Sequence, residues 1–78
     1  MKVFDVVQRT WDPESIPGRR HLGAVRMETV ATCPTLSEAE AAAKASAAAY
    51  AAHGYNRQRG YWWGRDDRFR YTFVVEAR

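Results

Sequence analysis

Apolar and polar residues alternate, at least in part, in three segments of the chain, and each of these segments predicts a β-strand. They are residues 2–10, 24–32 and 69–77, and the aromatic segment 57–63 predicts a fourth strand that pairs with the last. β-Branched and aromatic residues, which favour strands, are frequent in these segments. The short sequence GRDDR separates the last two segments. The pattern therefore predicts two pairs of antiparallel strands, the second of them a hairpin.

The segment between the two pairs has the signals of a helix. It reads PTLSEAEAAAKASAAAYAAHG and is dominated by alanine. Ser37 would be the N-cap, with Glu40 three residues later completing a capping box. His53 would lie in the last turn, and Gly54 is the residue type expected just after a helix. The sequence predicts a helix over residues 38–52.

The fold class that follows is α+β, with element order β-β-α-β-β. An antiparallel four-stranded sheet would have the alanine-rich helix packed on one face. Leu36 and Tyr50 are the only large apolar side chains near the helix, so most of the core must come from the sheet. A chain of 78 residues is close to the lower size at which one core suffices. We therefore expect a single domain over residues 1–78.

The segment RGYWWGRDDRFRYTF, residues 59–73, contains six aromatic side chains. Strand alternation divides them between two faces of the sheet. Trp62 would lie on the face away from the helix, together with Arg70. The side chains assigned to the core, beneath the helix, are Tyr61, Trp63, Phe69, Tyr71 and Phe73.

The net charge of +3 is unevenly distributed along the chain. Residues 55–78 contain six basic and three acidic side chains, and all six basic ones are arginine. Arginine stacks on aromatic rings and pairs with carboxylates or phosphates through two parallel hydrogen bonds. A modest positive charge of this kind is compatible with nucleic-acid binding but does not require it.

No arrangement of residues in the sequence meets the requirements of a catalytic or metal site. Cys33 is the only cysteine, and His21 and His53 lack the spacing of paired metal ligands. Asp66 and Asp67 are explained by a turn between arginines. We expect no enzymatic activity, no cofactor and no bound metal. No segment approaches the ~18 consecutive apolar residues of a membrane span, and we expect neither a membrane partner nor a signal peptide.

The exposed aromatic and basic residues predict a binding surface. Tryptophan, tyrosine and arginine are over-represented at the energetic centres of protein interfaces. Trp11 and two neighbouring arginines belong to a proline- and glycine-containing loop over residues 11–22. The candidate partner-binding residues are Trp62, Arg57, Arg59, Arg65, Arg68, Arg70, Trp11, Arg19 and Arg20.

Single-stranded nucleic acid is one candidate partner for this surface. Proteins recognise single strands by stacking bases on aromatic rings and neutralising the backbone with basic side chains. RGYWW also begins like the K/R-G-F/Y start of a ribonucleoprotein motif. The likeness ends at Trp62 and Trp63, which replace the small residue and the phenylalanine expected there.

The chain is small, begins with MKVFDVV, and combines one alanine-rich helix with a charged aromatic hairpin. In these features it resembles the small phage-encoded anti-CRISPR proteins that act on type I systems. The bias toward alanine and arginine fits a GC-rich bacterial host. The resemblance implies an inhibitor in the host cytoplasm, monomeric or homodimeric, that docks on a Cas subunit of the Cascade complex and blocks target DNA recruitment. Many such inhibitors are acidic, whereas this chain is basic. Its arginines would therefore pair with carboxylates, with Trp62 as the anchor.

Overall fold

The computed structural model describes residues 2–11 and 26–78, which form one helix and one antiparallel sheet. The sheet has five strands in the order β2-β1-β5-β4-β3. The predicted α+β class, with an antiparallel sheet and one helix, is confirmed. Within the described residues, no helix is long and apolar enough to cross a membrane. The elements are β1 (Phe4–Trp11), β2 (Arg26–Cys33), α1 (Leu36–Ala48), β3 (Ala52–Asn56), β4 (Tyr61–Arg65) and β5 (Arg70–Ala77).

The predicted count of four strands and the order β-β-α-β-β are wrong, because a further short strand precedes the last hairpin. Residues 57–60, assigned to a strand from their sequence, form a tight turn between β3 and β4. The carbonyl of Asn56 accepts from the amide of Gly60 at 2.8 Å, and its side-chain oxygen accepts from the amide of Arg59 at 3.0 Å. Gly60 has a φ of 73°, which favours glycine. The observed order is therefore β-β-α-β-β-β.

The helix begins two residues earlier than predicted. Thr35 is the N-cap, and its hydroxyl accepts from the amide of Glu38 at 3.1 Å. Ser37 lies within the first turn of α1, so the predicted capping box with Glu40 is wrong. Threonine caps helices as serine does. The helix therefore begins directly after Thr35, the residue that follows Pro34.

The helix also ends earlier than predicted, at Ala48. His53 and Gly54, expected at its C-terminus, lie in β3 and pair with β4. A ring nitrogen of His53 lies 2.9 Å from the carbonyl oxygen of Tyr50 and links the end of the helix to the strand. The high helix propensity of alanine is overridden here by pairing within the sheet.

Alanine makes the contact between helix and sheet, as the sequence suggested. Phe73 and Val6 are the largest fully buried side chains beneath the helix. Leu36, one of the two large apolar side chains near the helix, is 51% exposed and adds little to the core. Small side chains let the helix axis lie close to the sheet, and the bulk of the core comes from the strands. The buried helix residues, each four positions from the next, are Ala39, Ala43 and Ala47.

The sheet has two distinct faces. The face covered by α1, called the helix face here, receives Tyr71, Phe73 and Val75 from β5. The opposite face, called the open face, receives Arg70 and Thr72 from the same strand, because successive side chains of a strand alternate between faces. The alternation predicted for this strand is thus confirmed.

Candidate functional site

The two adjacent tryptophans of β4 lie on opposite faces, in the reverse of the predicted assignment. Trp62 pairs directly with Phe73, and Trp63 pairs directly with Thr72. Directly opposed residues share a face, so Trp62 lies on the helix face and Trp63 on the open face. Tyr61, two residues from Trp63, is on the open face as well. The predicted core therefore lacks two of its rings and gains Trp62.

Trp62 is engaged by the helix and is not a free anchor. Its indole Nε1 donates to a carboxylate oxygen of Glu40 at 3.1 Å. The ammonium of Lys44 lies 5.9 Å from the centre of its ring. The ring of Tyr55 packs against it with centroids 4.7 Å apart. The prediction that Trp62 lies on the face away from the helix is wrong, because these contacts place it half-buried between α1 and β3.

Trp63 lies across a glycine on the open face. A Cβ atom at Gly54, its direct partner in β3, would lie 2.9, 3.0 and 3.1 Å from three adjacent atoms of the indole. These three atoms lie along one rim of the indole, so this rim packs closely over the backbone of β3. The Trp63 side chain as a whole is half-buried.

Trp11 is fixed on the same face by a hydrogen bond to the neighbouring strand. Its indole Nε1 donates to the hydroxyl of Thr72 at 3.0 Å. Thr72 is in turn the direct partner of Trp63. Tyr61 is held in a similar way, since its hydroxyl accepts from the side-chain amide of Asn56 at 3.2 Å. Three aromatic rings of the open face thus have defined positions.

Two arginines face each other beside these rings. Arg65 and Arg70 are direct partners across β4 and β5, and Arg70 is also the direct partner of Trp11. Like charges at directly opposed positions destabilise a sheet. Within residues 2–11 and 26–78, no carboxylate lies within salt-bridge distance of either guanidinium. The positive charge at this end of the open face is therefore uncompensated by the described part of the chain.

The other end of the open face has a like-charge pair that is compensated. Asp5 and Glu76 are direct partners across β1 and β5. Arg78 lies 3.1 Å from the Asp5 carboxylate, and Arg9 lies 4.0 Å from that of Glu76. The hydrogen bond from Thr32, followed by those from Arg78, lowers the pKa of Asp5. At this end of the open face, each of the two opposed carboxylates thus has an arginine partner, whereas the opposed arginines at the other end have no carboxylate partner in the described part of the chain.

These residues surround a groove with a volume of about 530 Å³. None of its described lining residues is acidic. We call it the open-face groove. The charged and aromatic side chains that define it are Arg9, Trp11, Arg59, Tyr61, Trp63, Arg65 and Arg70.

The structure brings four of the nine predicted binding residues to this groove. Trp62 lies on the helix face, and Arg57 and Arg68 are exposed in turns outside the groove. Arg19 and Arg20 lie outside the described residues. The four that line the groove are Trp11, Arg59, Arg65 and Arg70.

Three groove residues were missed by sequence reasoning, namely Trp63, Tyr61 and Arg9. The first two were assigned to the core because residues 57–63 were interpreted as one strand. The signal that could have found them is the sequence NRQRG, in which Asn56 precedes a four-residue turn and Gly60 ends it. A turn at that position starts β4 at Tyr61 and allows it to continue to Arg65.

The acidic turn between β4 and β5 has a structural role, as its sequence suggested. The carboxylate of Asp66 accepts from the amides of Phe69 at 2.7 Å and Arg68 at 2.8 Å, and from the hydroxyl of Tyr71 at 3.0 Å. The two amide hydrogen bonds are the main cause that lowers the pKa of Asp66. Burial, followed by the interactions with Asp66, raises the pKa of Tyr71 to about 12. Both groups are therefore held in one charge state near neutral pH.

Among the described residues, no group of three or more histidine, cysteine, aspartate or glutamate side chains could hold a metal ion. Comparison with protein-family models gave no match for the chain. Searches of curated proteins and of solved structures likewise gave no significant similarity. The function is therefore argued from the geometry of the open-face groove.

Proposed function

We propose that this protein is a non-enzymatic binding domain whose open-face groove binds single-stranded nucleic acid. The observation that carries the proposal is the opposed pair of Arg65 and Arg70, which has no carboxylate partner in the described chain and lies next to Trp11. A bound phosphate would relieve the repulsion within this pair. Local features that work against folding are expected at functional sites.

The aromatic rings support a nucleic-acid strand over a simple anion. The rings of Trp63 and Trp11 line the groove beside the guanidinium groups and offer flat apolar surfaces. Bases stack on such rings, and each stacked base contributes about 1–3 kcal/mol. A duplex keeps its bases stacked inside, whereas a single strand can turn them toward the protein. The groove therefore favours a single strand over a duplex.

The test is a salt titration of binding to a fluorescently labelled 12-nucleotide DNA or RNA. Each phosphate contact with a single strand contributes a slope of about −0.7 in a plot of log affinity against log salt. Four arginines line the groove, so we expect a slope between roughly −2 and −3. A duplex of the same length should bind more weakly. No measurable binding of any strand at low salt would reject the proposal.

Two arginine variants provide a matched comparison for the salt titration. Arg65→Gln removes a charge from the groove, whereas Arg68→Gln removes one from the exposed turn outside it. We expect the first to reduce the salt slope by about 0.7 and the second to change it little. Equal losses in the two variants would indicate binding through net charge rather than through the groove.

A protein-binding inhibitor is the second candidate function. The groove has the tryptophan, tyrosine and arginine composition of interface hot spots, and its guanidinium groups could pair with carboxylates of a partner. On this hypothesis the protein is an anti-CRISPR that acts in the bacterial cytoplasm and docks on a Cas subunit of a type I Cascade complex. Trp63 would take the place that the sequence analysis gave to Trp62.

The two candidate functions predict different results with purified Cascade. An inhibitor of Cascade should reduce target-DNA binding by the purified complex in proportion to its own concentration, and should be recovered with Cas subunits in a pull-down. Unimpaired DNA binding by the complex, together with failure to recover any Cas subunit, would reject the inhibitor hypothesis. Strong binding to oligonucleotides alone would support the first candidate.

A further inference from the structure

The open-face groove contains two separate places where a base could stack. Trp11 lies in β1 and Trp63 in β4, and β5 separates these strands. The partner of Trp11 in β5 is Arg70, whereas the partner of Trp63 is Thr72. The two tryptophans are thus two strands and two residues apart. With strands about 4.8 Å apart and a rise of about 3.4 Å per residue, their Cα atoms are separated by roughly 12 Å.

Each of the two rings has its own support. Trp63 rests on the backbone at Gly54, and Trp11 is tied to the hydroxyl of Thr72. Both indoles lean across the sheet toward β3. Because Thr72 is the direct partner of Trp63, its hydrogen bond brings the ring of Trp11 level with Trp63 along the strands, and the separation that remains is that of two strand spacings, roughly 10 Å. Stacked bases along a strand are about 3.4 Å apart. Neighbouring stacked bases therefore cannot occupy both tryptophans.

Thr72 lies between the two rings, and the pair of Arg70 and Arg65 lies beside them, two residues along the strands. A backbone that runs from Trp11 to Trp63 passes these guanidinium groups, which would contact its phosphates. Resting on the proposed function, we infer that the groove binds a short unstacked segment of at most about four nucleotides, because an unstacked backbone is more extended than the ~3.4 Å per nucleotide of stacked bases. One base stacks on Trp63, a second stacks on Trp11, and the linking phosphates contact the arginine pair.

The test is a length series of oligothymidylates of two, three, four, six and twelve nucleotides, measured with the wild type and with Trp11→Ala. For the wild type we expect affinity to rise steeply up to four nucleotides and to change little beyond. The second stacked base should account for about a five- to 150-fold gain. In Trp11→Ala this gain between two and four nucleotides should disappear, while dinucleotide binding persists through Trp63.

The outcomes separate this inference from the proposed function. If no oligonucleotide binds the wild type, both are rejected. If oligonucleotides bind but affinity rises steadily to twelve nucleotides, or if Trp11→Ala keeps the gain, the two-base arrangement is wrong and the nucleic-acid function stands. Loss of the gain in Trp11→Ala, with cooperative unfolding retained, supports the inference.

A second pair of variants tests the same arrangement even if Trp11→Ala does not fold. Thr72→Val keeps the shape of the side chain but removes the oxygen that accepts from Trp11, and Thr72→Ser restores that oxygen. We expect Thr72→Val to weaken binding of the tetranucleotide by about threefold to tenfold, the value of one lost hydrogen bond. Thr72→Ser should bind like the wild type. Equal affinities for Thr72→Val and the wild type would contradict a positioning role for this hydroxyl.

Discussion

The two faces of the sheet are both rich in aromatic residues but use them for different purposes. On the helix face, Phe73 is 1% exposed and the ring of Tyr50 stacks on that of Tyr71 at 4.4 Å. On the open face, Trp63 and Tyr61 stay half-buried with arginines around them. The presence of α1 on one side alone makes the first set a core and leaves the second set available to a partner.

On each face of the sheet, one strand glycine lies against an aromatic ring, so the packing of the two faces can be compared directly. A Cβ at Gly64 would lie 2.5 Å from a ring carbon of Tyr50, and a Cβ at Gly54 would lie 2.9 Å from one of Trp63. Both glycines let a large ring rest on the strand backbone. The ring on Gly64 is stacked on Tyr71, whereas no aromatic ring of the described residues stacks on Trp63. The same local arrangement thus serves packing on one face and could serve binding on the other.

The sharpest test of the comparison replaces the two adjacent tryptophans, and the largest effect is expected for Trp62→Ala. Removal of this ring leaves a gap beneath α1 and an unpaired Glu40 carboxylate. We expect a loss of about 2–4 kcal/mol in the free energy of unfolding, measured by urea denaturation. Domains of this size have only about 4–12 kcal/mol in total. An unchanged midpoint would mean that Trp62 does not belong to the core.

The second prediction concerns Gly64→Ala on the helix face. The added Cβ would meet the Tyr50 ring at 2.5 Å and the carbonyl oxygen of Ala47 at 3.1 Å. Because the backbone on one side and a stacked ring on the other leave little room, we expect a loss of about 1–3 kcal/mol in unfolding free energy. Thermal and urea unfolding of the variant would measure it.

Gly54→Ala is the matched control on the open face. There the three atoms nearest to the added Cβ all belong to the indole of Trp63, a half-buried side chain that can shift, whereas the backbone near Gly64 cannot. We expect a stability loss below about 1 kcal/mol but a clear loss of oligonucleotide affinity, because the ring leaves its position. If the two glycine variants were equally destabilised, the distinction between a closed and an open face would fail.

The third prediction is that Trp63→Ala affects binding more than folding. Loss of one stacking surface should weaken oligonucleotide binding by about 1–3 kcal/mol, measured by fluorescence anisotropy. The stability loss should be smaller, about 1 kcal/mol, because the ring covers only the backbone of a glycine. Trp63→Phe, which keeps an aromatic surface, should recover part of the affinity. Full affinity in Trp63→Ala would place the binding site elsewhere.

The sequence predicted the two faces of β5 correctly but not those of β4, and the reason is physical. Alternation within one strand follows from the backbone alone, so it can be recognised in FRYTFVVEA. The relative phase of two strands depends on where the turn begins, and a shift of one residue moves every side chain to the other face. A five-residue loop GRDDR would place Trp63 opposite Phe69. The observed loop, residues 66–69, has four residues and places Arg65 opposite Arg70, so Trp63 pairs with Thr72 and the faces of β4 are exchanged.

The groove itself was only partly predictable for a related reason. Its arginines could be recognised from composition, because an excess of arginine over acidic residues is visible in the sequence. The opposition of Arg65 and Arg70 and the support of Trp63 by Gly54 are tertiary facts that depend on register. Composition therefore predicted a basic aromatic surface, and only strand pairing determines which aromatic residues belong to it.

The last and smallest expected effect is a difference between the pH dependence of folding stability and that of oligonucleotide binding. Hydrogen bonds lower the pKa values of Asp66 and Asp5 beneath the ordinary 3.8. A carboxylate whose pKa is lower in the folded than in the unfolded state stabilises the fold at pH values above its unfolded-state pKa. This contribution is lost as the pH falls through its folded-state pKa. Tyr71, with a pKa raised to about 12 from 10.0, contributes stability below pH 10 that is lost as the pH rises toward 12. The unfolding free energy should therefore decline below about pH 4 and above about pH 10.

Arginine side chains stay charged throughout this range, so oligonucleotide affinity should remain flat between about pH 5 and pH 9, where the fold is intact. Asp66→Asn keeps an oxygen for the two amides of the turn but removes the titrating group, and should make the acid decline shallower without changing affinity at pH 7. An affinity that varied several-fold between pH 5 and pH 9 would mean that a titrating side chain contacts the strand. The open-face groove would then extend beyond the arginines and aromatic rings that define it.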